Sequence, residues 1–300
     1  MCGIIAAATD RSVGKLLVQG LHKMEYRGYD SAGIALHQEG GVAHLRTLGK
    51  VNLLEEKMIQ EKPKGKVGIA HTRWATHGEP SESNAHPHKS KNRVFIVHNG
   101  IIENYLDLKQ NLTKQNYVFE SQTDSELIAH LLDSLLNSGK NMIESMQALK
   151  ESLEGASNKF YLARNKSPLL LGLGEKECFA ASDPLAISEL TNQFIFLEDG
   201  DTVEVSSSNF KIFDINKKIT NREVVKLDIS AEATSKGEFK HFMEKEIYEQ
   251  PQAIRNTLDG RVGGEDVLEN IFGEGSSELL SQVKRIQIVA AGTSLHAGRV

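Results

Sequence analysis

Short runs of consecutive apolar residues alternate along this chain with stretches in which apolar positions recur every three or four residues. That is the pattern of buried strands interleaved with one-sided helices. Ile4 to Ala8 is such a run and predicts a buried strand near the N-terminus. Val13, Leu16, Leu17, Leu21 and Met24 then recur at helical intervals, so Val13 to Met24 predicts a helix with one face on a sheet. Further strands are predicted at Ile34 to His37, Ala43 to Leu48, Val67 to His71 and Val94 to Val97, and further helices at Tyr105 to Gln115 and Met142 to Leu153. Thr123-Asp124-Ser125-Glu126 is a capping-box pattern, and Leu127, Ile128, Leu131, Leu132, Leu135 and Leu136 place an amphipathic helix behind it.

From Lys159 to Leu227 the pattern shifts to short strands separated by turns: Lys159 to Ala163, Leu169 to Leu173, Cys178 to Ala181, Phe194 to Leu197, Thr202 to Val205 and Lys211 to Phe213. Asp199-Gly200 reads as a hairpin turn between two of them. Up to about residue 227 the order implies sheets packed on each other with helices outside. Beyond Ser235, Phe239 to Leu258 predicts a charged helix interrupted at Gln250-Pro251, Gly260 to Gly264 a flexible joint, and Ser277 to Val283 a short helix. Arg285 to Ala290 predicts a buried strand running into Gly292-Thr293-Ser294, a loop type that holds phosphate in many α/β domains. A parallel strand buried on both faces needs neighbours, so the expectation is the front part of a longer protein.

Composition narrows the class. The 300 residues are 39% hydrophobic and 25% charged with net charge -5, ample for a core and too mildly acidic to point to nucleic acid or a membrane surface. The longest apolar stretches, such as Pro168 to Leu173, are too short to span a bilayer, and no secretory signal pattern is present, so a cytoplasmic location is expected. Cys2 and Cys178 do not make a disulfide framework. Cys178 reads as a strand residue with no polar company.

Candidate chemistry begins at Met1-Cys2-Gly3. If Met1 is trimmed, one residue carries a thiol and a free α-amine able to take its proton, and the thiolate is the attacking species. The alternative is a small buried apolar side chain at the start of a strand. Tyr26 to Gly33 is either a plain helix-to-strand connection or part of a site. His71 to Pro80 packs the only tryptophan, an arginine and two histidines into one loop, which suits either a grip on a small charged substrate or a solvated loop anchored by its tryptophan. Five histidines fall between His71 and His98, yet none has a recognised ligand spacing, so no metal is expected. Asn99-Gly100 is either a hairpin turn or an oxyanion hole built from the Asn99 amide and the Gly100 N–H. Asp124 either caps a helix or offers its carboxylate to a substrate ammonium.

Seven stretches together carry a resemblance: Cys2-Gly3-Ile4, YRGYDSAG from Tyr26, HTRWATHGEP from His71, NAHPH from Asn84, HNGIIEN from His98, TDSE from Thr123 and KEIYEQP from Lys245. With these the chain resembles the isomerising glutamine–fructose-6-phosphate aminotransferases. The resemblance implies an α+β class II glutamine amidotransferase domain with the four-layer αββα N-terminal nucleophile hydrolase fold over 2–227. A linker with a helical segment over 228–284 follows, then the first strand of a truncated α/β sugar-isomerase domain over 285–300. It implies that Cys2 attacks the glutamine amide, that Asn99 and Gly100 stabilise the oxyanion, that Arg73 clamps the substrate carboxylate and that Asp124 meets its ammonium. Thr76 and His77 complete that pocket, Trp74 lies on the loop that closes over glutamine, Arg27 supports the site, and His86 lines it. Thr293 and Ser294 match the start of the sugar-phosphate loop, with Ala291 where many relatives carry cysteine. The implied partners are L-glutamine and, with the missing half, fructose 6-phosphate in a homodimer; no cofactor, nucleic acid or membrane is called for. Another class II amidotransferase, serving purine or asparagine synthesis, fits KEIYEQP and the terminal VAAGTS less well. A non-catalytic glutamine-sensing module would have no need of the Cys2, Asn99 and Gly100 set.

Overall fold

The computed structural model describes residues 2–75, 78–102, 104–149, 159–165, 167–207, 209–227, 238–240, 242–259, 261–263, 266–267, 278 and 281–285. They fall into two compact units, Met1–Ser235 and Lys236–Val300.

In the first unit β1 (Gly3–Ala8) is followed by α1 (Gly14–Lys23), β2 (Ser31–Gln38), β3 (Gly41–Leu48), α2 (Val51–Glu61) and β4 (Val67–Arg73). Next come β5 (His88–Ser90), β6 (Val94–Ile96), α3 (Tyr105–Lys114), α4 (Ser125–Asn137) and α5 (Met142–Leu149). The strands β7 (Lys159–Ala163), β8 (Leu170–Gly174), β9 (Glu177–Ala181), β10 (Gln193–Phe196), β11 (Thr202–Ser206), β12 (Phe210–Phe213), β13 (Ile219–Thr220) and β14 (Val225–Lys226) complete it. An eight-stranded sheet runs β14-β10-β8-β9-β1-β4-β2-β3 and a four-stranded sheet β13-β12-β11-β7, while β5 and β6 form a separate ribbon. Each strand pairing among the described residues is antiparallel.

Strand alternation explains how the layers stack. In β1, Ile5 and Ala7 face a core shared with Leu17 and Leu21 of α1 and Leu54 of α2. Ala6 and Ala8 face the opposite way, into a core with Phe160, Leu162, Val203 and Val205 of the smaller sheet. Small alanines there let the two sheets approach closely. Outside the smaller sheet, α4 packs on β5 and β6 through Ala129, Leu132 and Leu136, and α5 lies against β11. The result is α1 and α2, the large sheet, the small sheet, then α3 to α5, the four-layer αββα order expected. Cys178 is buried in the inter-sheet core, and burial pushes its thiol pKa up to about 11, so it stays an unreactive thiol at neutral pH.

Several local expectations change. Asp199-Gly200 is not a hairpin turn: β10 belongs to the large sheet and β11 to the small one. The segment is a crossover between layers, and buried Asp201 anchors it by accepting hydrogen bonds from Arg222 at 2.8 and 2.9 Å and from Glu198 N at 2.8 Å. The capping box does not close either. Thr123 Oγ1 turns to His88 Nε2 at 2.8 Å, and the Glu126 carboxylate accepts from the backbone N–H groups of Glu120 and Ser121, both at 2.7 Å. A helix unforeseen in the pattern, α2, buries only Val51 and Leu54, too thin an apolar stripe to stand out.

In the second unit, α6 (Phe242–Leu258) runs through Pro251 without a break. The Gly260 to Gly264 joint instead contributes β15 (Val262–Gly263), paired with β16 (Asp266–Val267). Ser277, Leu279 and Leu280 of the stretch Ser277 to Val283, and Arg285 to Ala290 beyond Arg285, lie outside the described residues, as do Thr293 and Ser294. Among the described residues no helix is long and apolar enough to cross a membrane.

The central sheet should carry much of the stability of the first unit. Phe179 on β9 is fully buried, so Phe179→Ala is expected to cost about 3–5 kcal/mol in urea unfolding. Leu53→Ala on the exposed side of α2 is expected to change it by less than about 0.5 kcal/mol.

Candidate active site

The site grows from the start of β1. Gly3 N donates to Thr72 Oγ1 at 3.2 Å and Ile4 N to Ser182 Oγ at 3.0 Å, so both flanks of the strand are tied down beside Cys2. A Cβ on Gly3 would sit 2.8 Å from both Met24 Sδ and Thr72 Oγ1, so a larger residue after the cysteine would have to displace these side chains. Cys2 is half-buried at this strand end. Its Sγ accepts a hydrogen bond from Trp74 N at 3.2 Å, and its carbonyl accepts one from Asn99 Nδ2 at 3.2 Å.

Asn99 is held from two further directions. Its Oδ1 faces His71 Nε2 at 2.9 Å, and its backbone carbonyl accepts from Ser167 Oγ at 3.1 Å. The hairpin reading of Asn99-Gly100 falls away, because β6 ends at Ile96 and pairs with β5, which precedes it. Gly100 takes φ +155°, and a Cβ there would lie 2.8 Å from His98 Nε2.

Two buried charges flank the cluster. Arg73, 3% exposed at the end of β4, donates to Gly78 O at 2.9 Å and Glu79 O at 3.3 Å and lies 3.6 Å from Asp30 Oδ1. The other oxygen of Asp30 accepts from Ala75 N, so one carboxylate holds both the arginine and the loop that follows it. Asn84 extends the scaffold: its Nδ2 donates to Glu79 O at 2.8 Å and Gln122 Oε1 at 2.9 Å, and its Oδ1 accepts from Gln122 N at 2.8 Å. Asp124, 4% exposed at the start of α4, accepts from Ile102 N at 2.8 Å and Ser125 Oγ at 3.3 Å. Each carries hydrogen bonds that make its burial tolerable.

Trp74 is 52% exposed, and its ring lies over Gly28, where a Cβ would approach Cζ3 to 2.5 Å. Arg27 belongs to the short 3-10 helix Glu25–Arg27 that leads to Gly28. His86 is buried with its ring stacked on that of His71, centroids 4.1 Å apart at 26°, and with His88 against its edge at 4.5 Å. His86 therefore meets the Cys2 cluster through His71. Stacked rings direct their in-plane lone pairs away from a common point, and among the described residues no group of three or more His, Cys, Asp or Glu is arranged to hold a metal ion. Thr76 and His77 lie outside the described residues.

Burial dominates the electrostatics of these histidines. It pushes His71 down to about 4 although the Asn99 contact works the other way, and His88 to about 3. His86 is pushed well below its usual value by burial and then by its histidine neighbours; His98 is also lowered by burial. All are neutral at physiological pH. Asp30, His71 and Ser167 are the position-setting residues that pattern reasoning passed over. Asp30 and His71 stood inside conspicuous motifs, whereas Ser167 carried no signal in a polar turn.

Comparison with known proteins bears on the family and the fold. Residues 71–189 match the glutamine amidotransferase domain family. The chain is 45% identical over 308 residues to glutamine–fructose-6-phosphate aminotransferase [isomerizing] of Shewanella oneidensis, covering 99% of this chain and 51% of that protein. It is likewise 45% identical over 311 residues to the protein of the same name from Haemophilus influenzae, covering 100% of this chain and 51% of that one. The chain thus spans about half the length of the curated relatives it matches. Among solved structures, the glutamine phosphoribosylpyrophosphate amidotransferase of B. subtilis is similar with TM-score 0.61 and 23% identity over 73% of this chain and 50% of that one, a likeness of fold.

The buried histidines set an acid limit. An unfolded chain protonates histidine near pH 6.5, whereas His71 in the fold resists until about 4. Between those values the unfolded state binds more protons, so stability falls as pH drops through the window and the loss levels off below it. His71 alone accounts for about 3 kcal/mol of that loss. Glu126 adds a separate loss at lower pH: burial pushes its pKa up, but His130 and the N–H groups of Glu120 and Ser121 hold it at about 2. Urea midpoints measured from neutral pH down to about pH 4 should decline steadily; a flat profile would contradict neutral buried histidines.

Proposed function

We propose that the glutamine amidotransferase domain carried by this chain hydrolyses the side-chain amide of glutamine through a thioester on Cys2, as the ammonia-supplying part of an isomerising glutamine–fructose-6-phosphate aminotransferase. Its fold is that of the N-terminal nucleophile hydrolases among class II amidotransferases. The observation that carries the proposal is the convergence on Cys2: a backbone N–H on the sulfur, the Asn99 amide on the carbonyl, and a buried arginine and a buried aspartate in the adjoining segments. An amino-acid amide is the substrate that calls for a nucleophile, an oxyanion donor, a cation for a carboxylate and an anion for an ammonium at once.

The chemistry follows from these roles. With Met1 removed, the Cys2 α-amine takes the thiol proton, and the thiolate adds to the glutamine amide carbon. Asn99 Nδ2 and Gly100 N–H bear the oxyanion charge. Collapse expels ammonia, which takes its proton from the same amine, and leaves a glutamyl thioester. Water then adds to the thioester and releases glutamate and the thiol. Arg73 clamps the substrate carboxylate and Asp124 the ammonium; Thr76 and His77 complete the pocket, Trp74 covers it, and Arg27 and His86 support it. On this reading residues 2–227 are the glutaminase, 228–284 a linker and 285–300 the opening of a sugar-isomerase domain, with Thr293 and Ser294 in its phosphate loop. The whole protein would work in the cytoplasm as a homodimer, passing ammonia to fructose 6-phosphate to make glucosamine 6-phosphate, whereas this chain alone releases it.

Three measurements test the proposal. Intact-mass analysis should show Met1 absent, and quantitative retention would remove the α-amine from the mechanism. Glutamate release should disappear in Cys2→Ala while urea unfolding is unchanged. Arg73→Ala should chiefly raise KM for glutamine, whereas Asn99→Ala should lower kcat by about 100-fold or more. The opposite split would reassign the two residues.

A further inference from the structure

His71 has no role in the chemistry above, yet it is the buried group most directly joined to it. It stands on β4 opposite Ile4 of β1 on one side and Gly33 of β2 on the other, in the middle of the large sheet. Its ring is 1% exposed, stacked on His86, with Nε2 at 2.9 Å from Asn99 Oδ1 and Nδ1 buried without a hydrogen-bond partner.

These contacts fix the identity of each atom by elimination. The Cys2 carbonyl can only accept, so the group of Asn99 lying 3.2 Å from it must be the amide NH2. Asn99 Oδ1 therefore faces the imidazole, and Oδ1 also can only accept, so Nε2 must carry the proton. In a neutral ring Nδ1 is then bare. The opposite tautomer would set Nε2 against Oδ1, lone pair to lone pair. The close ring of His86 discourages a second proton.

We propose that His71 is a positioning residue: its Nε2–H locks the Asn99 side-chain amide with nitrogen toward Cys2, so that one N–H holds the Cys2 carbonyl and the other is kept for the oxyanion. The proposal rests on the reading of Asn99 as an oxyanion donor. Without this lock a half-turn of the amide exchanges nitrogen for oxygen and presents a lone pair where negative charge develops, which opposes the reaction. Binding of glutamine, which depends on Arg73 and Asp124, is unaffected by that half-turn.

Steady-state glutamate release by the full chain tests this. His71→Phe, which keeps a ring and removes the donor, should lower kcat about 10- to 100-fold, the range typical for partners that orient a primary group, with KM for glutamine changed less than about twofold. His71→Gln, which can return an N–H to the same place, should recover most of the loss. The double variant His71→Phe with Asn99→Ala should be no slower than Asn99→Ala alone. Alkylation of Cys2 by iodoacetamide, which forms no oxyanion, should proceed at the parental rate in each. Unchanged kcat in His71→Phe, equal damage in His71→Gln, or additive losses in the double variant would overturn the proposal. If Asn99→Ala itself leaves kcat intact, the oxyanion reading fails instead. The tautomer is checked without any variant: 15N spectra of histidine-labelled protein should show His71 protonated at Nε2 and bare at Nδ1, and the reverse pattern would overturn the lock.

Discussion

Pairing of β1 on both sides, with each of its faces buried in a different core, is the constraint from which the rest of the first unit follows. A strand held by β4 and β9 and pressed between α1 and the small sheet cannot slip its register, because a one-residue shift would exchange Ile5 and Ala7 with Ala6 and Ala8 and misfit both cores. That places Cys2 at a defined strand end next to the ends of β4 and β9. The half-burial of the thiol is thus a property of the sheet.

Around that strand end the molecule spends buried polar groups freely, and nearly all are partnered. Arg73, Asp30, Asn84, Gln122 and Asp124 hold three loops by hydrogen bonds to backbone as much as to each other. Such ties fix where the described loop ends sit, which is what a site needs if its donors are to be in place before substrate arrives. The histidines serve the same end differently. Burial keeps them neutral, so they act as fixed hydrogen-bonding groups and ring surfaces.

Pattern reasoning located most strands and helices because each buries a contiguous or one-sided apolar set: Leu17 and Leu21 in α1, Leu132 and Leu136 in α4, Phe179 and Ala180 in β9. It failed where tertiary partners override a local signal. Asp199-Gly200 looks like any hairpin turn, yet β10 and β11 find their partners in different sheets. Glu126 looks like a capping-box acid, but the backbone N–H groups of Glu120 and Ser121 in the preceding segment claim its carboxylate. Pro251 looks like a helix end, though α6 continues past it.

The sequence by itself determined the residue types available to the site and the order in which strands and helices appear, since periodicity, glycine punctuation and the motifs around Cys2, Arg73, Asn99 and Asp124 are all local in the chain. Only the tertiary structure decided which of those residues meet. The contacts of Trp74 N with Cys2, of His71 with Asn99 and of Asp30 with Ala75 span tens of residues and depend on sheet order and register. Such contacts leave no periodic trace, because a hydrogen bond between distant loops is set by where the sheet delivers their ends. The tautomer of His71 belongs to the same class: it is written by Asn99 Oδ1, turned toward the ring because the Cys2 carbonyl holds the other end of the amide, and by nothing adjacent to it in the chain.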